Sequence, residues 1–93
     1  MIVGLLTVEL HIPHAQSLKD KRMVLRGVKD RLKKFNVAVA EVDHQDLWQR
    51  AELGVVTVSG STEAVDRALA SVVDEIERTE PGLITRTHVE FLT

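Results

Sequence analysis

The sequence contains no cysteine and no tyrosine, and it has one tryptophan and two phenylalanines in 93 residues. Without cysteine, the chain forms no disulfide, no thiolate metal site and no catalytic thiol. No apolar run approaches the roughly 20 residues that a helix needs to cross a bilayer. The first residues, MIVGLLTVELHIP, also lack the leading positive charge of a signal peptide. We therefore expect a cytoplasmic protein that uses no cysteine chemistry.

Motifs for common catalytic chemistries are also missing. The sequence has neither a glycine-rich phosphate loop nor a nucleophile elbow. Its four histidines are not spaced like the ligands of a zinc site. Ser17, Ser59 and Ser61 lie where strand ends and helix caps are expected, so they are better interpreted as structural residues than as nucleophiles. We expect no enzymatic activity, no cofactor and no metal.

The pattern of apolar residues predicts six elements in one domain that spans residues 1–93. Alternation of apolar and polar residues predicts strands, and apolar residues three and four apart predict helices. The expected strands are residues 2–12, 37–43, 53–59 and 83–92, and the expected helices are residues 17–35 and 63–79. This order predicts a ferredoxin-like βαββαβ fold of the α+β class, with a four-stranded antiparallel sheet and two helices packed on one face.

The first predicted helix carries most of the positive charge. Eight of the twelve Lys and Arg residues lie between residues 19 and 34, where Asp20 and Asp30 are the only acids. This segment therefore has a formal charge of +6 in a chain whose net charge is −2. Ser17 is a good N-cap for the helix, and Asp20 three residues later resembles a capping box. Such a charge asymmetry is typical of a surface that meets a partner.

Several of these cations are spaced so that they repel one another. Like charges four residues apart, such as Arg22 with Arg26, cost a helix about 0.2–0.5 kcal/mol each, and Lys19 lies near the positive end of the helix dipole. A surface that binds phosphates tolerates this repulsion, because the phosphates offset it. The alternative interpretation is a solvated helix face that binds no partner. The candidate nucleic-acid-binding residues are Lys19, Lys21, Arg22, Arg26, Lys29, Lys33 and Lys34.

The face of the sheet away from the helices is expected to lack aromatic residues. Proteins that bind unpaired RNA on such a sheet stack the bases on aromatic side chains, so we do not expect that mode of binding. We expect instead an apolar patch that pairs two protomers. Its predicted members are Val37, Val39, Leu53 and Val55. The alternative is that the facing of these strands is offset by one residue, which would move every side chain to the other face.

Trp48 lies in the segment HQDLWQR between the second and third predicted strands. Tryptophan is frequent at binding hot spots, so Trp48 is a candidate partner anchor. The alternative is a large residue that folds back over the edge of the core or into a dimer contact.

Two stretches of the sequence resemble a known family. SLKDKR after a strand and a proline, together with KKFNVAVAEVDHQDLWQRAELGVVTVSG, resembles the YlxP-like family of small bacterial proteins. The resemblance implies a ferredoxin-like fold, and it implies no catalytic residues. Genes of that family often lie among those for translation initiation and ribosome maturation factors, which implies a role near RNA or the ribosome.

Two main functional hypotheses remain, beside a third class, a small-ligand sensor that uses the sheet or a dimer cleft. The first is a non-enzymatic accessory factor, forming a homodimer, that binds RNA or a ribosomal particle through the basic helix at residues 17–35. The second is a homodimeric structural or protein-interaction module whose basic helix meets an acidic protein partner. The sequence predicts no membrane partner for either.

Overall fold

Six elements follow one another in the computed structural model, which describes residues 1–93. They are β1 (Ile2–His11), α1 (Leu18–Leu32), β2 (Ala38–Asp43), β3 (Arg50–Ser59), α2 (Thr62–Thr79) and β4 (Ile84–Phe91). The strands form one sheet in the order β2-β3-β1-β4, and each neighbouring pair is antiparallel. Both helices pack on one face of this sheet, so the predicted ferredoxin-like α+β fold is confirmed.

The core lies between the sheet and the two helices and consists of 16 buried apolar residues in one cluster. In β1 every second residue contributes to it, since Leu6, Val8 and Leu10 are buried while their neighbours are partly exposed. This is the alternation expected of a strand that is covered on one face only. The other face of the sheet, which we call the open face, is not covered by either helix.

Gly4 allows α2 to approach the sheet closely. It lies on the covered face of β1, and a Cβ atom built at this position would collide with the side chain of Val65 in α2. Leu69, one turn further along α2, also lies next to the same point. Any larger residue at position 4 would therefore push α2 away from the sheet.

The helix α1 is shorter at its C-terminal end than the sequence predicts. The helix ends at Leu32 rather than at Phe35, and the backbone N–H of Lys33 donates to the Asp30 carbonyl. Residues 33–37 then form a turn, in which the Asn36 carbonyl accepts a hydrogen bond of 2.7 Å from Oγ1 of buried Thr57. Neither helix of the fold is long and apolar enough to cross a membrane.

Candidate nucleic-acid interface

The start of α1 is fixed by two reciprocal hydrogen bonds. Oγ of Ser17 accepts from the backbone N–H of Asp20 at 3.1 Å, and the Asp20 carboxylate accepts from the backbone N–H of Gln16 at 3.0 Å. The predicted N-cap at Ser17 is confirmed. Because the first helical residue is fixed in this way, the helical period decides which side chains point away from the core.

Four cations follow one another along the outer side of α1, and we call them the basic ridge: Lys19, Arg22, Arg26 and Lys29. None of them forms an ion pair with an acidic side chain. Three of them, together with Lys33, line a groove of about 360 Å³ between α1 and β2. Asp30 and Glu41 also line this groove, but they are paired with Lys33 and Lys21. The predicted row of cations therefore exists, and its four members have no ion-pair partner.

Lys33 extends the basic ridge at its C-terminal end. Its Nζ lies 3.1 Å from Oδ1 of Asp30, and both side chains are well exposed. An exposed pair three residues apart contributes little to stability, because water screens it. Lys33 therefore remains accessible to a stronger anionic partner.

Lys21 does not belong to the candidate interface, and its prediction as a nucleic-acid-binding residue is wrong because it is buried. Its side chain is 1% exposed. Nζ donates to Oε2 of Glu41 at 2.9 Å and to the carbonyls of His44 at 2.7 Å, Gln45 at 3.3 Å and Arg50 at 3.2 Å. A buried ammonium must be paired and hydrogen-bonded in this way. Lys21 therefore ties α1 to the connection between β2 and β3.

The sequence does contain a signal for this burial. Lys21 lies three residues after Leu18 and four before Leu25, so it occupies the apolar stripe of the helix and not the opposite side. Glu41 likewise continues the alternation of Val37 and Val39, whose side chains pack against the core. A lysine on one apolar stripe and a glutamate on another are the pattern expected of a buried ion pair.

Lys34 is paired with an acidic residue of α2 although its side chain is 56% exposed, so it does not extend the basic ridge as predicted. Its Nζ lies 2.9 Å from Oε1 of Glu75 in α2 and 5.5 Å from the centre of the Phe35 ring. Arg78 holds the other carboxylate oxygen of Glu75 at 2.6 Å. Lys34 therefore joins the end of α1 to α2 instead of contributing to the basic ridge.

The pKa of Glu75 is lowered by these contacts. The hydrogen bond from Lys34 is the largest cause, and the charges of Arg78 and Lys34 act in the same direction. Burial opposes them, because it disfavours the charged carboxylate. Glu75 therefore stays ionised between two cations, although its side chain is nearly inaccessible to solvent.

The residues predicted for the dimer patch lie on the covered face, so that prediction is wrong. Leu53 and Val55 are completely buried in the core, and Val37 and Val39 pack against it. The side chains of β2 and β3 that were expected on the open face therefore point to the helices, and the residues next to them in sequence point to the open face. Both alternating sets of β3 contain apolar residues, Leu53 and Val55 in one and Val56 and Val58 in the other, so the period alone does not show which set meets the helices.

An apolar surface nevertheless covers part of the open face, and we call it the apolar patch. The side chains of Val42, Val56 and Val58 are between 37% and 50% exposed. Cross-strand pairing places Ala38 and Leu5 on either side of Val56. The full set is Val3, Leu5, Ala38, Ala40, Val42, Val56 and Val58.

Trp48 is exposed in the connection between β2 and β3. Over half of its surface, 54%, is accessible to solvent, so the interpretation that it folds back over the core is wrong. With Leu47 and His11 it borders a shallow depression of about 470 Å³. Its role as a partner anchor stays a prediction.

The topology places the chain in the ferredoxin-like class of α+β proteins. Among solved structures, the de novo designed protein Foldit4 matches with a TM-score of 0.55 over 99% of this chain and 96% of that chain, at 12% sequence identity. At that identity the match concerns the fold alone.

At the level of sequence, the model of the family described as "Protein of unknown function (DUF503)" matches residues 3–89, and the chain belongs to this family. The uncharacterized protein YlxP of Bacillus subtilis is 40% identical over 93 residues, which cover 92% of this chain and 97% of the relative. The predicted resemblance to the YlxP-like family is confirmed.

Proposed function

We propose that this protein is a non-enzymatic accessory factor of the cytoplasm that binds RNA phosphates, free or in a ribosomal particle, through the basic ridge and Lys33. The observation that carries the proposal is the lack of any acidic partner for Lys19, Arg22, Arg26 and Lys29. Other cations of the molecule, such as Lys21 and Lys34, are paired with carboxylates, whereas these four on one side of α1 are not. Adjacent unpaired cations repel one another, and phosphates relieve that repulsion.

The groove between α1 and β2 favours contact with a backbone over contact with bases. Its cations are Arg22, Arg26, Lys29 and Lys33, and no aromatic side chain lines it. Cations without a stacking platform position a protein on phosphates and do not read sequence. The proposal therefore concerns structured RNA, whose phosphates lie at regular distances, and it needs no unpaired bases.

Charge reversal of the ridge tests the proposal. In the triple variant Arg22→Glu, Arg26→Glu, Lys29→Glu, we expect binding to ribosomal particles and to structured RNA to be lost at physiological salt. For the unaltered protein, the logarithm of the association constant should fall with the logarithm of salt concentration by about 0.7–0.9 per phosphate contact. Sedimentation with ribosomal particles and fluorescence anisotropy with RNA measure both quantities.

The matched control is Arg67→Glu, compared with Arg26→Glu. Both arginines are exposed, lie inside a helix and form no ion pair, so the two variants change the net charge equally. Only Arg26→Glu should weaken binding. Equal weakening by both variants, or normal binding by the triple variant, would contradict a specific role for the basic ridge.

The apolar patch favours a second candidate function, self-association as a homodimer. Monomeric proteins rarely leave contiguous apolar surface in water, and here Val42, Val56 and Val58 share one face with small residues of β2. The patch lies on the opposite side of the sheet from the helices. Pairing through it would leave both copies of the basic ridge accessible.

Val56→Glu tests this pairing. If the apolar patch joins two protomers, this variant should be monomeric in sedimentation equilibrium at concentrations at which the unaltered protein is dimeric. Glu63→Gln, an exposed change in α2, serves as a control that should leave the mass unchanged. A monomeric unaltered protein would exclude the homodimer.

Binding of an acidic protein in place of RNA by the basic ridge would support the interaction-module hypothesis.

A further inference from the structure

Three side chains with metal-ligating atoms meet at the polar end of the open face. Glu9 lies on β1, Glu52 lies on β3, and His44 lies in the connection between β2 and β3. Their ligating atoms all lie within 4.8 Å of one another, and each residue is half-buried. Nε2 of His44 is 3.8 Å from Oε1 of Glu9. None of these residues belongs to the basic ridge, which is on the other side of the sheet.

The pairing of β1 with β3 forces the two glutamates together. Glu9 and Glu52 are direct cross-strand partners, and like charges in that position destabilise a sheet. Arg50 approaches Glu9 at 3.6 Å, whereas Glu52 has no ion-pair partner. A cation bound between the two carboxylates would relieve their repulsion.

The backbone holds the imidazole of His44 over this pair. His44 is the one non-glycine residue with a positive φ angle, 63°, a left-handed conformation that few residues other than glycine adopt. Lys21 Nζ donates to the His44 carbonyl at 2.7 Å. Lys21 is buried and also donates to the carbonyls of Gln45 and of Arg50 at the start of β3, so it fixes the position of His44.

We propose that Glu9, His44 and Glu52 bind a divalent transition-metal ion of the Zn²⁺ type. One imidazole with two carboxylates is a ligand set that suits such ions better than Mg²⁺ or Ca²⁺, which prefer oxygen ligands alone. Zinc bonds to nitrogen and oxygen are about 2.0–2.2 Å long, so two ligand atoms of one tetrahedral ion lie about 3.3–3.6 Å apart. The ligating atoms of the three side chains lie within 4.8 Å of one another, so a bound ion would draw them closer together.

The site is open on one side. Glu9 and Glu52 border a hollow of about 230 Å³ whose other walls are Thr7, Arg86 and His88. Three protein ligands leave a fourth position of a tetrahedral ion for water or another small ligand. An anionic ligand there would also lie near the guanidinium group of Arg86.

Titration of the untagged 93-residue chain with ZnCl₂ tests the site. We expect saturable binding of one ion per chain, measured by calorimetry, with a rise in the midpoint of thermal unfolding. Glu52→Gln and His44→Asn should each weaken binding by at least about tenfold. Asparagine is chosen at position 44 because it tolerates a positive φ angle. His14→Asn and Glu90→Gln change exposed residues outside the site and should bind zinc normally.

A second measurement does not depend on the folding of any variant. In nitrogen-15 NMR spectra of the unaltered protein, zinc should shift the imidazole signals of His44 and leave those of His14 unchanged. MgCl₂ at the same concentration should have no effect. The proposal is overturned if zinc does not bind saturably at millimolar concentration, if Glu52→Gln binds zinc as tightly as the unaltered protein, or if His14 is the histidine that responds.

Discussion

Lys21 and Arg22 are neighbours in the chain and carry the same charge, yet the fold uses them in opposite ways. Lys21 lies on the inner side of α1, where its Nζ makes four hydrogen bonds. Arg22 lies on the outer side, exposed and without an acidic partner, in the groove beside β2. One cation holds the molecule together, and the other is available to a ligand.

The difference shows that the number of cations in a segment is larger than the number available to a ligand. The segment from residue 19 to residue 34 has eight cations, but Lys21 and Lys34 are bonded to Glu41 and Glu75, respectively. We therefore expect phosphate binding from cations that the fold leaves unpaired and, as at Lys33, from cations whose carboxylate partner is itself well exposed. Paired variants of inner and outer residues test this contrast.

The largest effect is expected for Lys21→Met, which should lower the free energy of unfolding by about 3–5 kcal/mol. It removes one partner of a buried ion pair and leaves Glu41 uncompensated. Arg22→Met should change the free energy by no more than about 0.5 kcal/mol, as is usual for exposed positions. Urea unfolding followed by circular dichroism measures both values.

A double variant sharpens this result. Lys21→Met combined with Glu41→Leu should recover part of the lost stability, because no unpaired charge is then buried. Equal effects of Lys21→Met and Arg22→Met would show that the buried ion pair does not stabilise the fold.

A smaller difference in the free energy of unfolding is expected between a buried and an exposed valine of β3. Val55→Ala should cost roughly 2 kcal/mol, because it leaves a cavity in the core. Val56→Ala removes the same atoms from the open face and should cost less than about 0.5 kcal/mol in the monomer. Thermal and urea unfolding at low protein concentration give the comparison. The reverse order would mean that β3 turns its other side towards the helices.

The smallest effect is the pH dependence that arises from Glu75. Its pKa is lower in the folded protein than the ordinary value of 4.5. The ionised carboxylate therefore stabilises the fold above the ordinary pKa, and this stabilisation is lost as the pH falls through the lower, folded pKa. Glu75→Gln should reduce the thermal midpoint at neutral pH, and the difference from the unaltered protein should shrink in acid.

Calorimetry between about pH 7 and pH 3 measures this difference. In a Lys34→Met background the difference should be smaller throughout, because Lys34 is the largest cause of the lowered pKa. A difference that grows in acid would contradict the assigned direction.

The fold and part of the interface were predictable from local patterns. The alternation in β1, the apolar stripes of both helices and the cap at Ser17 act over a few residues, so they are visible in the sequence. Four cations of the basic ridge, Lys19, Arg22, Arg26 and Lys29, were predicted and lie where the helical period puts them. The burial of Lys21 was also encoded by its place on the apolar stripe, although its charge pointed to the surface.

The sequence by itself determined the order of the elements, the start of α1 and the concentration of positive charge on that helix, because each depends on neighbours within a few residues. Only the tertiary structure decided which side of β2 and β3 meets the helices, since both sides are apolar enough to be buried. It alone also decided that Lys34 meets Glu75 and that His44 meets Glu9 and Glu52. These residues are distant in the chain, and only the packing of α1 on α2 and the pairing of β1 with β3 bring them together.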